Sequence, residues 1–222
     1  MKHCLMITGG PLDLSFAKEF IKDRSYQMVI AADGGFSYCQ ELGIHPDLLV
    51  GDFDTFGREK IRQYLDQSEY TIDLHQPEKD ETDTELAFRH ARMQGCTEVD
   101  VLGALGGRID HELSNIHLLV HEKKKGLSVK YYDRNNKIFV LDAEIDDGYT
   151  FQKDCCYGKY VSFLPMTELV KGITLTGFKY PLMKKDISIL QNPSLCVSNE
   201  VIEEKAEISF DEGILICIES RD

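Results

Sequence analysis

Basic residues are the scarce class in this chain. Lys and Arg total 25 against 38 Asp and Glu, a formal net charge of -13. Such a surface repels nucleic acid unless a local basic stripe overrides it. The one dense basic run, Lys123-Lys124-Lys125, closes a helical pattern before Gly126, where cations complement a helix C-terminus. No nucleic-acid partner is expected. Long apolar runs are missing as well. None approaches the roughly 20 residues that span a bilayer, and the first, Cys4-Leu5-Met6-Ile7, is too short for the core of a signal peptide. It reads as the opening strand of a soluble domain, with no membrane partner. The seven cysteines contain no C-x-x-C, and Cys155-Cys156 are neighbours, a poor geometry for a mutual bond or a tetrahedral zinc site. Reduced core thiols in a cytoplasmic protein are expected. Neither G-x-x-x-x-G-K-[ST] nor G-x-G-x-x-G occurs, so a Walker-type phosphate loop and a nicotinamide cofactor are unsupported. There is no internal repeat and no low-complexity segment.

What is present is an alternation. The 222 residues, 42% of them hydrophobic, suffice for one large domain or two small ones with a sizeable core. Strand-like apolar runs fall at 3–8, 28–32, 48–50, 71–74, 99–102 and 129–132, and helical patterns at 15–23, 36–42, 58–66, 84–94 and 109–125. Strand then helix, repeated, predicts an α/β domain with a parallel sheet of about six strands covered by helices on both faces. After Asp133 no long amphipathic helix occurs. Short runs at 137–141, 160–164, 172–175, 187–190, 207–210 and 214–218 are separated by turn-formers. That is the pattern of a small all-β sandwich or barrel. The spacing predicts domains over 1–133 and 134–222.

The acids of the first domain fall where the strands end. Asp33 follows the second strand, Asp52 and Asp54 the third, Asp80 and Asp83 the fourth, and Asp110 the fifth. In an open parallel sheet all strand C-termini share one edge, and ligands bind there. Like charges held together raise each other's cost of ionisation, so the Asp52/Asp54 pair calls for a counter-charge. A hard cation, most naturally Mg²⁺, supplies it. Structural readings stand beside this one. Asp80 to Asp83, or Thr82 to Glu85, has capping-box spacing. Asp110 suits the head of the next helix, and Asp33-Gly34-Gly35 suits a plain turn. Glycines follow the same strands: Gly9 and Gly10, Gly34 and Gly35, and Gly103, Gly106 and Gly107. They let backbone N–H groups approach a phosphate, and Arg108 beside them has the fork to clamp one.

These residues also carry a resemblance. "AADGG" at 31–35, "GDFDT" at 51–55, "DETDTELA" at 80–87, "GALGGRIDH" at 103–111, "SFLP" at 162–165, "GFKYPL" at 177–182 and "SNE" at 198–200 resemble the motifs of the thiamine pyrophosphokinase family, in order and spacing, over nearly the whole chain. Thr55 stands where that family usually has Ser. The resemblance implies that the thiamine hydroxyl attacks the β-phosphorus of ATP, a diphosphoryl group is transferred and AMP leaves. It implies Mg²⁺ held by Asp52, Asp54 and Asp80, with Asp83 a direct or water-mediated partner. It further implies nucleotide contacts from Gly9, Gly10, Asp33, Gly34, Gly35, Thr82, Gly106, Gly107 and Arg108, with Arg108 and Asp110 positioning the two substrates. In the all-β domain Tyr180 would stack on thiamine and Ser198 and Asn199 would bond its pyrimidine. The family is a homodimer, with thiamine between the nucleotide domain and the β domain of a second subunit.

Two other readings remain open. "GDFDT" also resembles the D-x-D-x-T nucleophile motif of haloacid dehalogenase-like phosphatases, although that fold opens with the motif whereas two βα units precede it here. A non-catalytic thiamine or nucleotide sensor on the same scaffold is the third.

Overall fold

The computed structural model describes residues 2–51, 71–74 and 81–222, the four residues 71–74 by their backbone. The chain divides into two compact units, Met1–Arg134 and Asn135–Asp222. Among the described residues no helix is long and apolar enough to cross a membrane.

The first unit alternates strands with helices: β1 (Lys2–Ile7), α1 (Leu14–Lys22), β2 (Met28–Ala32), α2 (Gly35–Leu42), β3 (Leu48–Gly51), β4 (Thr71–Leu74), α3 (Asp83–Met93), β5 (Cys96–Leu102), α4 (Ile109–Lys124) and β6 (Ser128–Tyr132). Its strands run β6-β5-β1-β2-β3-β4, and every neighbouring pair is parallel. The chain moves outward from β1 to β4, then crosses back to β5 on the other side of β1. That reversal opens a crevice beyond the C-terminal ends of β1 and β5, the usual ligand position in open α/β sheets. The reasons for each element are local. Cys4 to Ile7 are completely buried, so β1 is a central strand with apolar side chains on both faces. α1 starts at Asp13, whose Oδ1 accepts from the N–H groups of Ser15 and Phe16, and it buries Phe16, Ala17 and Phe20. α2 ends on Gly43 at φ 69, a left-handed cap that glycine adopts without cost. The helix expected over 58–66 lies outside the described residues.

The second unit holds β7 (Asn136–Asp142), β8 (Tyr149–Gln152), a single 3-10 turn (Lys153–Cys155), β9 (Tyr160–Pro165), β10 (Leu169–Thr176), β11 (Leu182–Ser188), β12 (Cys196–Glu200), β13 (Lys205–Ser209) and β14 (Ile214–Ser220). They form two antiparallel sheets, β12-β9-β14-β7 and β11-β10-β13-β8. Both sheets contribute to one core, which makes a sandwich. At its centre Phe151, Phe163 and Phe178 meet edge to face, with centroids 5.6–5.9 Å apart, the geometry that aligns ring edges with ring faces.

Three strands differ from the expectation. β8 was hidden because its four residues bury only Phe151. β12 was hidden because its alternation is broken. β11 runs Leu182–Ser188, not 187–190, because none of its first five residues is buried and three of them, Lys184, Lys185 and Asp186, are charged; Ile189 and Leu190 stand exposed beyond its end. All seven cysteines are free, five of them buried. Burial raises the Cys39 thiol to about 12 and the Cys196 thiol to about 11, which leaves both unreactive at neutral pH.

Candidate functional site

A cavity of about 710 Å³ lies in the first unit at the strand ends. Four segments supply its walls: the turn after β1 with Gly9 and Gly10, the end of β2 with Asp33, residues 81–84 at the head of α3, and the stretch from Gly103 into the first turns of α4. Of the residues expected to form the site, Gly9, Gly10, Asp33, Thr82, Asp83, Gly106, Arg108 and Asp110 all line this one cavity. Gly34, Gly35 and Gly107 do not line it. Asp52, Asp54 and Asp80 lie outside the described residues.

The glycines have a packing role that precedes any ligand. A Cβ on Gly10 would overlap the Gly103 carbonyl oxygen, and one on Gly103 would lie 2.6 Å from the Thr8 carbonyl oxygen. The turns after β1 and β5 therefore touch backbone to backbone. Gly10→Ala is expected to lower the urea midpoint by the equivalent of about 1–3 kcal/mol, the range for inserting a methyl group into a filled space, and to distort the cavity wall. An unchanged midpoint would show that the two turns separate freely. Gly106 and Gly107 both sit at φ 81, a conformation a residue with Cβ rarely holds.

Asp33 is held at φ 47, with its N–H donating to the Val50 carbonyl at 2.8 Å. Among the described residues only Asp33, Lys184 and Ser198 combine a side chain with positive φ. Two of these three were already singled out as site residues, and strained backbone concentrates at functional positions. Thr82 caps α3: its Oγ1 accepts the Glu85 N–H at 3.2 Å, and the Glu85 carboxylate accepts the Thr82 N–H at 2.9 Å. The capping-box reading of this stretch therefore holds, with Thr82 both a cap and a cavity residue. Asp83 occupies the first turn of α3, where the helix dipole favours a carboxylate.

Arg108 and Asp110 form a two-pronged pair. Nε donates to Oδ1 at 3.1 Å and an amino group to Oδ2 at 2.6 Å, and both side chains are largely exposed. The hydrogen bond from Arg108 is the main reason that Asp110 is held below the ordinary carboxylate range, and the same bond raises Arg108. Asp110 is not the cap of α4; that position is Arg108, without a side-chain bond to the helix.

Sequence reasoning missed Thr8, Glu81, His111, Ser114 and Asn115, which also line the cavity. The α4 residues follow Asp110 at helical spacing, so one turn of periodicity was the available signal. Asn115 ties the helix to the glycine-rich turn, its Nδ2 donating to the Ala104 carbonyl at 2.8 Å.

Four carboxylates line the cavity, Asp33, Glu81, Asp83 and Asp110, beside the hydroxyls of Thr8, Thr82, Thr84 and Ser114, and no thiol lines it. An oxygen donor set suits a hard cation such as Mg²⁺. Among the described residues no three of His, Cys, Asp and Glu converge closely enough to hold a metal, so any complete ligand set must draw on other residues.

In the second unit, Tyr180 is 59% exposed. The Asn199 side chain is buried and hydrogen-bonded to the Tyr180 main chain on both sides. Ser198 is exposed, and its N–H donates to the Ser162 hydroxyl at 2.9 Å.

A parallel sheet with its topological reversal beside a cavity of glycine turns and carboxylates, followed by an antiparallel sandwich, defines a two-part α/β-plus-β ligand-binding protein. The comparisons narrow that class. Residues 21–131 match the model of "Thiamin pyrophosphokinase, catalytic domain" and residues 148–215 that of "Thiamin pyrophosphokinase, vitamin B1 binding domain". The chain is 34% identical over 222 residues to the thiamine pyrophosphokinase of Bacillus subtilis (strain 168), covering 100% of both. The crystal structure of thiamine pyrophosphokinase from Bacillus subtilis superposes with a TM-score of 0.85 at 32% identity, covering 100% of both chains. That of the Geobacillus thermodenitrificans enzyme gives 0.82 at 33%, covering 99% of this chain and 98% of the other. The chain belongs to the thiamine pyrophosphokinase family.

Proposed function

We propose that the protein transfers the diphosphoryl group of ATP to the hydroxyl of thiamine, giving thiamine diphosphate and AMP. The observation that carries this reading is the 34% identity across the whole chain to a thiamine pyrophosphokinase. The cavity supports it. Transfer of this kind needs positioning and charge neutralisation more than covalent chemistry. Gly9, Gly10, Gly106 and Gly107 offer main-chain N–H groups to phosphate oxygens, with Gly34 and Gly35 bracing the turn beside them. Asp33 and Thr82 border the nucleotide. Arg108, exchanging Asp110 for a phosphate, forks onto it, and the freed Asp110 faces the cationic thiamine. Asp52, Asp54 and Asp80, with Asp83 as a direct or water-mediated partner, would hold Mg²⁺, which would supply the charge that offsets the triphosphate. Tyr180, Ser198 and Asn199 form the thiamine side, residues 1–133 being the nucleotide- and metal-binding domain and 134–222 the thiamine domain. A homodimer is the working assembly; Met183 and Leu190, both largely exposed, are apolar surface that a second subunit would cover. Seven free cysteines suit a reducing compartment such as the cytoplasm.

The test is the product mixture. Incubation with ATP, Mg²⁺ and thiamine is expected to give AMP and thiamine diphosphate in equal amounts, with no ADP. Free phosphate together with a phosphorylated Asp52 would establish the phosphatase reading instead, and ligand binding without turnover would establish the sensor.

A further inference from the structure

β12 does not alternate. Cys196 is buried, Val197 and Ser198 are exposed, and Asn199 is buried again. The register against β9 shifts between Cys196 and Asn199, and Ser198 sits at φ 57, a conformation sparsely populated by residues with a Cβ. Side chains of an unbroken strand face opposite sides in turn, which would direct Asn199 away from the side that Cys196 faces. The bulge at Ser198 turns it back inward, and the Ser162 hydroxyl holds that bulge by accepting the Ser198 N–H at 2.9 Å.

Asn199, 3% exposed, uses its amide as a piece of main chain. Oδ1 accepts the N–H groups of Tyr180 and Glu200, each at 3.0 Å. Nδ2 donates to the Tyr180 carbonyl oxygen at 2.9 Å. The neighbouring main-chain contacts run the same way: the Lys179 N–H donates to the Glu200 carbonyl at 2.9 Å, and Phe178 bridges to Val201. The Asn199 side chain supplies the next rung of that ladder. It fixes the backbone of Tyr180 on both sides while the ring stays exposed. Pro181 follows and restricts the same backbone further. Lys179 lies 5.7 Å from the Tyr180 ring centroid, but the Glu200 carboxylate holds its ammonium at 2.7 Å. That pairing offsets the positive charge which would otherwise oppose a cationic ligand on the ring.

We infer that Asn199 is a positioning residue for thiamine, acting through the Tyr180 main chain and not on the ligand. This rests on the reading of Tyr180 as the stacking face. Both acceptor positions of Oδ1 are filled from within the chain, so the oxygen has no further role to offer a pyrimidine. Ser198, turned outward by the same bulge, is the residue of the pair that remains available.

A double-mutant cycle on the full-length chain separates the two roles. Tyr180→Ala is expected to raise the KM for thiamine roughly 2- to 30-fold, with kcat and the KM for ATP little changed. Asn199→Ala is expected to raise it by a similar factor, and the double variant by no more than the larger single factor. Fold-changes that multiply would mean that Asn199 meets the ligand independently, and the inference fails. It also fails if Asn199→Ala lowers kcat and leaves the KM for thiamine unchanged. Asn199→Asp keeps the acceptor for the Tyr180 N–H and sets a carboxylate against the Tyr180 carbonyl, so it carries the same cycle if the alanine variant does not fold. Amide hydrogen exchange gives a readout without turnover. The Tyr180 amide should exchange slowly in the parent and in Asn199→Asp, and faster in Asn199→Ala. Unchanged exchange in Asn199→Ala overturns the inference even in a chain that makes no AMP, whereas absence of AMP in the parent overturns only the proposed activity.

Discussion

Asp52→Asn or Asp54→Asn is expected to lower the rate of AMP formation by about 10²–10³-fold, the scale on which removal of one charge-stabilising group acts in group transfer. The fold should persist. β3 ends at Gly51 with buried Leu48, Leu49 and Val50 behind it, and an added Cβ on Gly51 would lie 3.2 Å from the Asp33 main chain. The strand therefore terminates directly against a cavity residue. Asp52 and Asp54 follow β3 in sequence, two like charges that repel without a cation. Replacing one by an amide of the same shape removes repulsion from the metal-free protein, so its urea midpoint should stay level or rise. The loss should appear as a weaker response to Mg²⁺ and as a lower plateau at saturating Mg²⁺. Rates of AMP formation across a Mg²⁺ titration, with urea unfolding in chelator as the control, give both quantities. A variant that reaches the parent rate at any Mg²⁺ concentration would remove that aspartate from the ligand set.

The contrast between these aspartates and Asn199 indicates where sequence reasoning reaches. Cys4 to Ile7 are four adjacent apolar residues, all buried, and so β1 was legible. So was the meeting of Asp33, Asp83 and Asp110 at one cavity, because parallel strands must bring their C-terminal ends to one edge. The glycines were legible as turns, but their tightest constraint was not. Gly10 meets Gly103, and Gly35 meets the Ile7 carbonyl, contacts between segments far apart in sequence that no local pattern announces. The same holds for Asp100, which is buried in β5 and accepts from Arg24 at 3.1 Å and from Tyr26 at 3.0 Å. An aspartate amid Val99 and Val101 reads as the exposed side of a strand until its partners arrive. Asn199 was selected by its motif, yet its inward direction depends on a bulge. Period-two reasoning therefore predicts the wrong face for it.

The largest effect on stability is expected from Glu219. Its position on β14 pairs with Lys137 on β7, and the two side chains meet at 2.5 Å, with 1% and 14% of their side-chain surfaces exposed. The second Glu219 oxygen accepts the Tyr157 N–H at 2.6 Å. Burial pushes the Lys137 ammonium toward neutrality, but the charge and hydrogen bond of Glu219 outweigh it, and Lys137 is raised above its ordinary value of 10.5. Glu219→Ala leaves that ammonium buried without its counter-ion. Breaking one side of such a pair costs about 3–5 kcal/mol, which for a chain of this length lowers Tm by about 6–20 °C. Glu219→Gln should fall between, since it keeps an acceptor for the Tyr157 N–H and loses the charge. Replacing both partners, Lys137→Met with Glu219→Leu, should recover most of the loss, because two apolar side chains need no mutual neutralisation. The sign of the pH dependence follows from the raised lysine. Its contribution is complete below 10.5 and declines as pH rises through the higher folded-state value. Urea unfolding of the four proteins at neutral pH and near pH 11 would measure this. A Glu219→Ala midpoint equal to that of the parent would mean that Lys137 reaches water by itself and that the pair contributes no stability.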